Sequence, residues 1–363
     1  MTHESFTDID YGFMKHALSL SKRGLGTTAP NPSVGCVLVK NNHVIGQGWT
    51  QPGGRPHAEI HALTSAVSSP DGATAYVTLE PCAHKGQSGA CTDALIQANV
   101  KRVIIASLDP NPQVNGKGIE DLKAAGIAVL SGCMKEEADK IHRGFFFSLQ
   151  KNRPLYTAKI ASSLDGKIAL QCGESKWITN DQSRMRGHSL RANHDAILIG
   201  IGTALADNPS LTCRLKGLEN QSPKRIVMDR QLRIPITSEL VLSAEKIPTY
   251  IFTEVSNSKD YPPSVNIITL NNIKDLKEVS RVFLSLGLTR VLIEGGATLL
   301  SAFIEEDFVD DIYWFRSNQV IGADGLSAIR SLALRQLSDA KRYKLQELLP
   351  LGTDILERRT RRR

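Results

Sequence analysis

Four residues in the first third of the chain have side chains that can bind and use a metal ion: His57, Glu59, Cys82 and Cys91. One imidazole and two thiolates supply three zinc ligands, and because zinc takes four, one position is left for water. A zinc ion in such a site lowers the pKa of its water towards neutrality, and a carboxylate beside it can carry the proton. The set predicts a catalytic zinc site with His57, Cys82 and Cys91 as ligands and Glu59 as the proton carrier.

The local sequence places the three ligands at the ends of predicted elements. His57 comes before a helix-like run, Cys82 follows a strand-like run at 75–79, and Cys91 opens a helix-like run at 92–96. Side chains at element ends converge easily, and a helix N-terminus favours the thiolate that a metal needs. Taken singly, the cysteines could equally be buried free thiols, so the prediction depends on the combination.

The order and spacing of these residues indicate which class of zinc enzyme they are typical of. H-x-E followed by P-C and a second cysteine is typical of zinc nucleobase deaminases, in which the glutamate is not a ligand. Here eight residues separate Cys82 from Cys91. That pattern, P-C-x-H-x-G-x4-C, and the segments 30–35 (PNPSVG) and 53–59 (GGRPHAE) resemble the deaminase half of the bifunctional deaminase–reductase family of riboflavin biosynthesis.

The resemblance implies that Asn31 and His84 line a pyrimidine pocket. Without it, a turn asparagine between prolines and a solvated loop histidine are the preferred interpretations of these two residues.

The bulk composition fits a globular protein of more than one domain. The chain has 363 residues, 41% of them hydrophobic and 22% charged, which is too long for one ordinary core. No apolar run is long enough for a transmembrane helix, and the polar N-terminus does not read as a signal or transit peptide. With two of the six cysteines assigned to metal and no export signal, a disulfide framework is not expected, and we predict a cytoplasmic location.

The formal net charge is +7, and five arginines fall within residues 358–363. Such a cluster is most often a disordered tail, and no basic stripe with interleaved aromatic residues is found elsewhere. A small anionic substrate is therefore favoured over nucleic acid, and no membrane partner is expected. An RNA-editing deaminase recruited by this tail remains an alternative.

Periodicity divides the chain into two α/β halves. The first half reads as a helix at 10–24, a hairpin at 34–46, and then alternating elements: helix 58–68, strand 74–79, helix 91–98, strand 102–107, helix 118–125, strand 127–130 and helix 134–149. The polar segment 150–154 reads as a linker. The second half starts with a strand at 155–161 and continues with strands near 195–200, 225–229, 248–253, 265–269, 290–294 and 309–316 and helices near 181–193, 274–287 and 297–305.

A strand, a Gly-Gly pair and a helix follow one another at 291–300 (VLIEGGATLL). Glycines at such a place let backbone N–H groups approach a phosphate at a helix N-terminus, although a plain tight turn is at least as good an interpretation. The segments 162–167 (SSLDGK), 173–179 (GESKWIT) and 202–214 (GTALADNPSLTCR) match, in order and spacing, the reductase half of the same family. The resemblance therefore extends from about residue 10 to 358.

The resemblance implies a reductase domain with a dihydrofolate-reductase-like fold that uses NADPH. The implied dinucleotide-binding residues are Ala161, Trp177, Thr203, Asp207, Gly295, Gly296, Ala297, Thr298, Leu299, Leu300, Ser301 and Ala302. The implied substrate-binding residues of this half are Ser175, Arg191, Leu211, Arg214 and Glu294.

Physical chemistry supports the roles that the resemblance implies for some of these residues. Arg191 and Arg214 can fork onto a phosphate, and Lys159 in an apolar strand is best explained by a polar cleft, so we add it to the substrate site. Surface salt bridges for the arginines, a turn for Asp207 and a core position for Trp177 are the competing interpretations.

The sequence thus predicts two α/β domains: a cytidine-deaminase-like three-layer α/β/α domain at 1–149 and an NADPH-dependent reductase domain at 155–358, joined by 150–154 and followed by a basic tail at 359–363. The family resemblance implies that zinc-dependent deamination of 2,5-diamino-6-ribosylamino-4(3H)-pyrimidinone 5′-phosphate precedes reduction of its ribosyl group to ribityl. The rival is a structural zinc in a non-enzymatic scaffold, with His84 as the fourth ligand. The oligomeric state, a homo-oligomer included, stays open.

Overall fold

The computed structural model describes residues 5–83, 89–111, 114–176, 178–256 and 260–362. The predicted residues His84 and Trp177 lie outside these ranges. The chain divides into two compact units, Met1–Asn152 and Arg153–Arg363. None of the helices in the described ranges has the length and apolarity that a membrane crossing requires.

The first unit alternates helices and strands, as the periodicity predicts. Its helices are α1 (Asp8–Ser21), α2 (Ala58–Thr64), α3 (Cys91–Gln97), α4 (Lys117–Ala124) and α5 (Lys135–Gln150). Its strands are β1 (Gly35–Lys40), β2 (His43–Trp49), β3 (Thr74–Leu79), β4 (Arg102–Ser107) and β5 (Ala128–Ser131). Helix α2 is shorter than expected because the Ser65 hydroxyl bonds to the backbone of Gln47 in β2, which competes with another helical turn.

The strands pair in the order β2-β1-β3-β4-β5. β1 is antiparallel to both of its neighbours, and β3, β4 and β5 are parallel. Alternate strand residues face opposite layers: Leu38 packs in one core with Ala62 of α2 and Leu95 of α3, whereas Val37 packs in the other with Ala17 of α1. The predicted three-layer arrangement is confirmed.

The second unit is built on a larger sheet. Its strands are β6 (Leu155–Ser162), β7 (Lys167–Ala169), β8 (Ala196–Gly200), β9 (Lys224–Met228), β10 (Thr249–Thr253), β11 (Val265–Thr269), β12 (Arg290–Ile293), β13 (Asp311–Arg316), β14 (Leu326–Ser327), β15 (Tyr343–Leu351) and β16 (Asp354–Arg361). Its helices are α6 (Asp181–Ala192), α7 (Ile201–Asp207), α8 (Glu239–Leu242), α9 (Leu276–Ser285) and α10 (Ala297–Glu305).

Within the described ranges, nine strands pair in the order β11-β10-β9-β8-β12-β6-β13-β16-β15. The strands from β11 to β13 are all parallel, so their carboxyl ends meet along one edge. Apolar residues of α9 and α10 cover one face, and residues of α6, α7 and α8 cover the other. Edges of this kind are where open α/β sheets bind ligands.

The prediction of a basic tail at 359–363 is wrong for Arg359 and Arg361, because both residues belong to β16. This strand pairs with β13 on one side and β15 on the other. Arg359 bonds to Glu357, and Arg361 pairs with Asp307. A strand with two hydrogen-bonded neighbours is part of the sheet, so Arg358, Arg359 and Arg361 do not belong to the free tail on which the RNA-editing alternative depended.

Candidate metal centre and cofactor cleft

Helix α2 presents His57 and Glu59 because it lies unusually close to the sheet. A Cβ atom at Gly48 of β2 would come within 2.5 Å of the Ala58 carbonyl oxygen and of the Ala62 amide nitrogen. Only a residue without a side chain permits this approach. His57 is the N-cap of α2, and Glu59 stands in its first turn.

His57, Cys82 and Cys91 converge as predicted, with their ligand atoms within 4.8 Å of one another. The His57 Nδ1 atom lies 3.3 Å from the Cys91 sulfur and 3.7 Å from the Cys82 sulfur. Zinc with tetrahedral geometry separates such ligand atoms by about 3.5–3.8 Å, given its usual bond lengths. The donor types and their spacing therefore fit a zinc ion.

The two cysteines are held by the beginning of α3. Cys91 is the first residue of that helix, and its backbone N–H donates to the Cys82 sulfur at 3.4 Å. A hydrogen bond shared with Cys91 lowers the pKa of Cys82 to about 4 and raises that of Cys91. These surroundings favour the thiolate form of Cys82, which is the form that binds metal.

The Glu59 carboxyl group is buried beside these ligands, with 3% of the residue exposed. Burial, followed by the negative charge of the Cys82 thiolate, raises the pKa of Glu59 to about 7. A carboxyl group with this pKa can both accept and release a proton near neutral pH, which is what the predicted role requires.

Asn31 connects two loops on the approach to His57. Its side-chain amide donates to the Gly54 carbonyl oxygen at 2.9 Å, and the loop continues through a short turn to His57. The predicted contact of Asn31 with a pyrimidine stays a prediction, and so does that of His84.

A cavity of about 1170 Å³ runs along the carboxyl edge of the second sheet. Thirteen of the residues predicted for the reductase site line it: Lys159, Ala161, Ser175, Thr203, Asp207, Glu294, Gly295, Gly296, Ala297, Thr298, Leu299, Leu300 and Ala302. Ser301 does not: it is buried, and its hydroxyl accepts the Arg330 backbone N–H at 2.8 Å. The cavity is large enough for a dinucleotide and a second small molecule.

The start of α10 forms part of the cavity wall. Gly296 is its N-cap, and the Gly296 N–H donates to the Thr203 hydroxyl at 3.0 Å. The first N–H groups of a helix have no partner within the helix, so Ala297 and Thr298 present donors at the positive end of α10. This geometry suits a phosphate group.

Glu294, directly after β12, is the centre of an ion cluster at one end of the cavity. Both of its oxygens accept from the Arg191 guanidinium, at 2.7 and 2.9 Å, and the Lys159 ammonium lies 3.7 Å away. Although burial opposes it, the charges of Arg191 and Lys159 lower the pKa of Glu294 to about 2. The forked face of Arg191 is therefore bound to Glu294, and Arg191 is not among the residues that line the cavity.

Arg214 and Leu211 lie on the loop that follows α7, and neither is among the residues that line the cavity. Arg214 is exposed, and its backbone N–H donates to His188 of α6 at 3.3 Å. Leu211 is buried in the core with a φ of 55°, a backbone conformation that costs a bulky residue energy. The substrate contacts of both stay predictions.

Three notable residues were absent from the sequence-based set. Glu80, 3% exposed, precedes Pro81 and Cys82, and a charged residue at the end of an apolar strand was the signal that could have identified it. Arg233 and Lys274 line the far end of the cavity, and nothing in the sequence places them together.

Two family descriptions match the chain. "Cytidine and deoxycytidylate deaminase zinc-binding region" matches residues 7–107, and "RibD C-terminal domain" matches residues 154–356. The second covers more than half of the chain. The chain belongs to the RibD family.

Relatives of the same family match over nearly the whole length. The riboflavin biosynthesis protein RibD of Aquifex aeolicus is 40% identical and covers 96% of this chain and 98% of its own. That of Escherichia coli is 37% identical, with 95% and 98% covered. Members of the RibD family combine the two matched domains, so the chain is a bifunctional deaminase and reductase of riboflavin biosynthesis.

Solved structures agree with this fold. The diaminohydroxyphosphoribosylaminopyrimidine deaminase/5-amino-6-(5-phosphoribosylamino)uracil reductase of Thermotoga maritima superimposes with a TM-score of 0.88 at 37% identity, covering 97% of this chain and 99% of that one. RibD of Acinetobacter baumannii gives 0.87 at 36% identity, covering 98% and 99%. The predicted two-domain α/β fold is confirmed, the deaminase domain is of a zinc-binding type, and the reductase domain fits a nicotinamide cofactor.

Proposed function

We propose that the first unit deaminates the diaminopyrimidine ribosylamine 5′-phosphate and that the second reduces the ribosyl group of the product to ribityl. The observation that carries the first half is the convergence of His57, Cys82 and Cys91 beside the buried Glu59. We assign the deaminase to residues 1–149 and the reductase to residues 155–358.

Zinc held by His57, Cys82 and Cys91 would supply an activated water molecule at neutral pH. Glu59 would accept one proton from that water and pass it to the ring nitrogen beside the attacked carbon. It would then take the remaining proton of the added hydroxyl group and pass it to the departing amine, which leaves as ammonia while the ring carbon becomes a carbonyl. Burial of the Glu59 carboxyl group excludes competing water from this transfer. Asn31 and His84 hold the ring.

In the reductase, NADPH would supply the hydride that reduces the sugar C1 of an open imine form. The N–H groups at the start of α10 hold its pyrophosphate, with Ala161, Thr203 and Asp207 along the same wall. Trp177, which lies outside the described residues, is a further proposed contact. The Lys159 ammonium is held by Glu294 at the cavity end, where it can donate a hydrogen bond to the sugar as the ring opens.

For the substrate phosphate, we assign Arg214 as the main contact. Ser175 and Leu211 stay proposed contacts of the substrate, Leu211 through its backbone because its side chain is buried. Arg191 acts through Glu294, because its fork is occupied there. This assignment refines the expectation that both arginines bind the phosphate in the same way.

A preference for NADPH over NADH follows from charge at the far end of the cavity. Arg233 after β9 and Lys274 before α9 line that end, three to five strands from β6, and strands lie about 4.8 Å apart. An extended dinucleotide that starts near Lys159 spans this distance, which brings its 2′-phosphate towards the two cations. Competition by adenosine 2′,5′-bisphosphate but not by AMP would support this placement, and equal competition would contradict it.

A small anionic molecule rather than nucleic acid is the proposed substrate. None of the six cysteines, all within the described ranges, forms a disulfide, which supports the proposed cytoplasmic location.

Zinc analysis together with an ammonia assay tests the deaminase. We expect about one zinc per chain and ammonia release that stops on chelation and returns with zinc. Ammonia release at the full rate from thoroughly chelated protein would contradict the proposal.

A further inference from the structure

Glu80 is a buried carboxylate that touches neither the three ligands nor the cofactor cavity. It follows β3 directly and precedes Pro81 and Cys82, and only 3% of it is exposed. A buried carboxylate is costly unless its oxygens are hydrogen-bonded. Its partners therefore indicate why the chain places it here.

All the recorded side-chain partners of Glu80 in the described ranges are backbone N–H groups. Oε2 accepts from Asp109 at 3.3 Å and Gly116 at 3.1 Å. Oε1 accepts from Gly118 at 3.0 Å and Ile119 at 3.4 Å. These groups belong to the segment after β4 and to the first turn of α4.

Glu80 thereby caps a helix to which it does not belong. Gly116, the N-cap of α4, has no side chain that could satisfy the free N–H groups of the first turn. A carboxylate from β3 takes that role, and its negative charge sits at the positive end of the helix. Helix α4 and the end of β3 are thus fastened together.

The contact extends to the next peptide. A Cβ atom at Gly118 would lie 2.2 Å from the Pro81 carbonyl oxygen, so the first turn of α4 rests directly on the backbone between Glu80 and Cys82. On the other side, the Cys82 carbonyl oxygen accepts from the Thr92 N–H at 3.2 Å and from the Thr92 hydroxyl at 3.4 Å. The segment 80–82 is held between the N-termini of α3 and α4.

Cys82 needs such support more than the other two ligands do. His57 and Cys91 stand at the starts of helices, whereas Cys82 lies in neither a helix nor a strand. Groups around metal ligands fix their orientation, and removing them typically weakens metal binding or activity 10–100-fold.

We propose that Glu80, with Gly118, is a positioning residue that holds Cys82 at the metal centre. The proposal rests on the zinc site proposed above. Glu80 acts through the backbone of Pro81 and touches neither zinc nor substrate.

The test compares Glu80→Ala, Glu80→Gln and Gly118→Ala with Glu120→Gln in the full chain. Gln puts an NH2 group opposite two N–H donors, so it cannot replace the carboxylate. Gly118→Ala keeps the Glu80 charge and places a Cβ atom 2.2 Å from the Pro81 carbonyl oxygen and 3.2 Å from Glu80 Oε1, so it disturbs the packing of α4 on the segment 80–82. Glu120 is an exposed acid in the same first turn of α4, so its variant is the matched control.

The main measurement is the rate at which each zinc-loaded protein releases zinc to a chromogenic chelator. The second is the thiolate-to-metal absorption of the cobalt-substituted protein. Thermal unfolding followed by circular dichroism reports that the first unit is folded, and NADPH oxidation on pre-deaminated substrate reports that the second unit is unaffected. We expect the Glu80 and Gly118 variants to release zinc about 10–100-fold faster and to have weakened cobalt–thiolate absorption, with Glu120→Gln and NADPH oxidation unchanged.

Zinc release from both Glu80→Ala and Gly118→Ala at the rate of Glu120→Gln would overturn the proposal and leave Glu80 as a helix cap alone. If Glu80→Ala fails to fold, the Gly118→Ala result decides. A wild-type chain that takes up no zinc would instead overturn the zinc site itself, and this inference with it.

Discussion

At the scale of single residues, the deaminase depends on a carboxyl group that is buried beside sulfur ligands. Burial and the Cys82 thiolate bring the pKa of Glu59 to about 7, where it can exchange protons. In the second unit the surroundings shift a carboxyl pKa in the opposite direction. The charges of Arg191 and Lys159 lower the pKa of Glu294 and keep it ionised. The surroundings of Glu59 thus allow it to exchange protons, and those of Glu294 allow it to anchor Arg191 and Lys159.

Glu59→Gln should keep its zinc and lose ammonia release by about 10²–10⁴-fold, since a positioned acid–base group contributes that much. Zinc content and ammonia are measured on the same preparation, with exposed Glu120→Gln as the control. Normal turnover in Glu59→Gln, or loss of zinc together with activity, would show that the glutamate is not the proton carrier.

Ionised Glu294 should add to the free energy of unfolding of the reductase unit by an amount that depends on pH. The pKa of Glu294 is about 2 in the folded protein and 4.5 ordinarily. The contribution, roughly 3 kcal/mol, is therefore fully present above pH 4.5 and is lost as the pH falls towards 2. Urea unfolding of the wild type and of Glu294→Gln should therefore differ more at pH 6 than at pH 3. A difference that does not change with pH would mean that the ion cluster is not coupled to folding.

The residues that could be identified from the sequence are those whose side-chain type indicates a specific chemistry. Histidine, cysteine and glutamate at the observed spacing indicated the metal centre, and the structure brings them together. The sequence could not predict that Arg191 binds Glu294, because the two are 103 positions apart, nor that Glu80 binds N–H groups 29 to 39 residues away. Backbone donors have no signature in the sequence.

At the scale of elements, helix N-termini do most of the positioning. α2 presents His57, α3 presents Cys91 and stabilises the Cys82 thiolate, and α10 faces the cavity. The central strands were predicted within a few residues because their apolar runs are strong. β15 was missed because it is an edge strand that exposes much of its length. β16 was missed because five of its eight residues are charged. α7 was missed because its seven residues bury little besides Ala204.

The hydrogen bond from the Gly296 N–H to Thr203 connects α7 to the beginning of α10. Thr203→Val removes the acceptor with little change of shape and should raise the NADPH dissociation constant about 5–10-fold, the equivalent of one hydrogen bond. Thr203→Ser keeps the hydroxyl and should bind NADPH almost normally. Fluorescence titration measures both, and equal affinities in the two variants would mean that this bond does not shape the cofactor site.

At the scale of the whole molecule, two units with separate cores carry the two sites. Cys82→Ser should lose zinc and ammonia release, yet oxidise NADPH at the wild-type rate when given pre-deaminated substrate, because the affected ligand lies outside the reductase unit. Metal analysis measures the zinc content, an ammonia assay measures the deaminase, and the absorbance of NADPH measures the reductase. Equal loss of both activities in folded protein would contradict the division of labour between the units.

The central claim is that one chain performs deamination and then reduction, and the ratio of the two products in a single reaction tests it most directly. Purified protein is given zinc and the diaminopyrimidine ribosylamine 5′-phosphate, with and without NADPH, and ammonia and NADPH oxidation are followed together. We predict ammonia release without NADPH, and one NADPH oxidised per ammonia released when NADPH is present. Glu59→Gln should give neither on the original substrate, and should oxidise NADPH, without ammonia release, only when pre-deaminated substrate is supplied. NADPH oxidation by Glu59→Gln on the original substrate, or no NADPH oxidation by the wild type after ammonia has formed, would contradict the account.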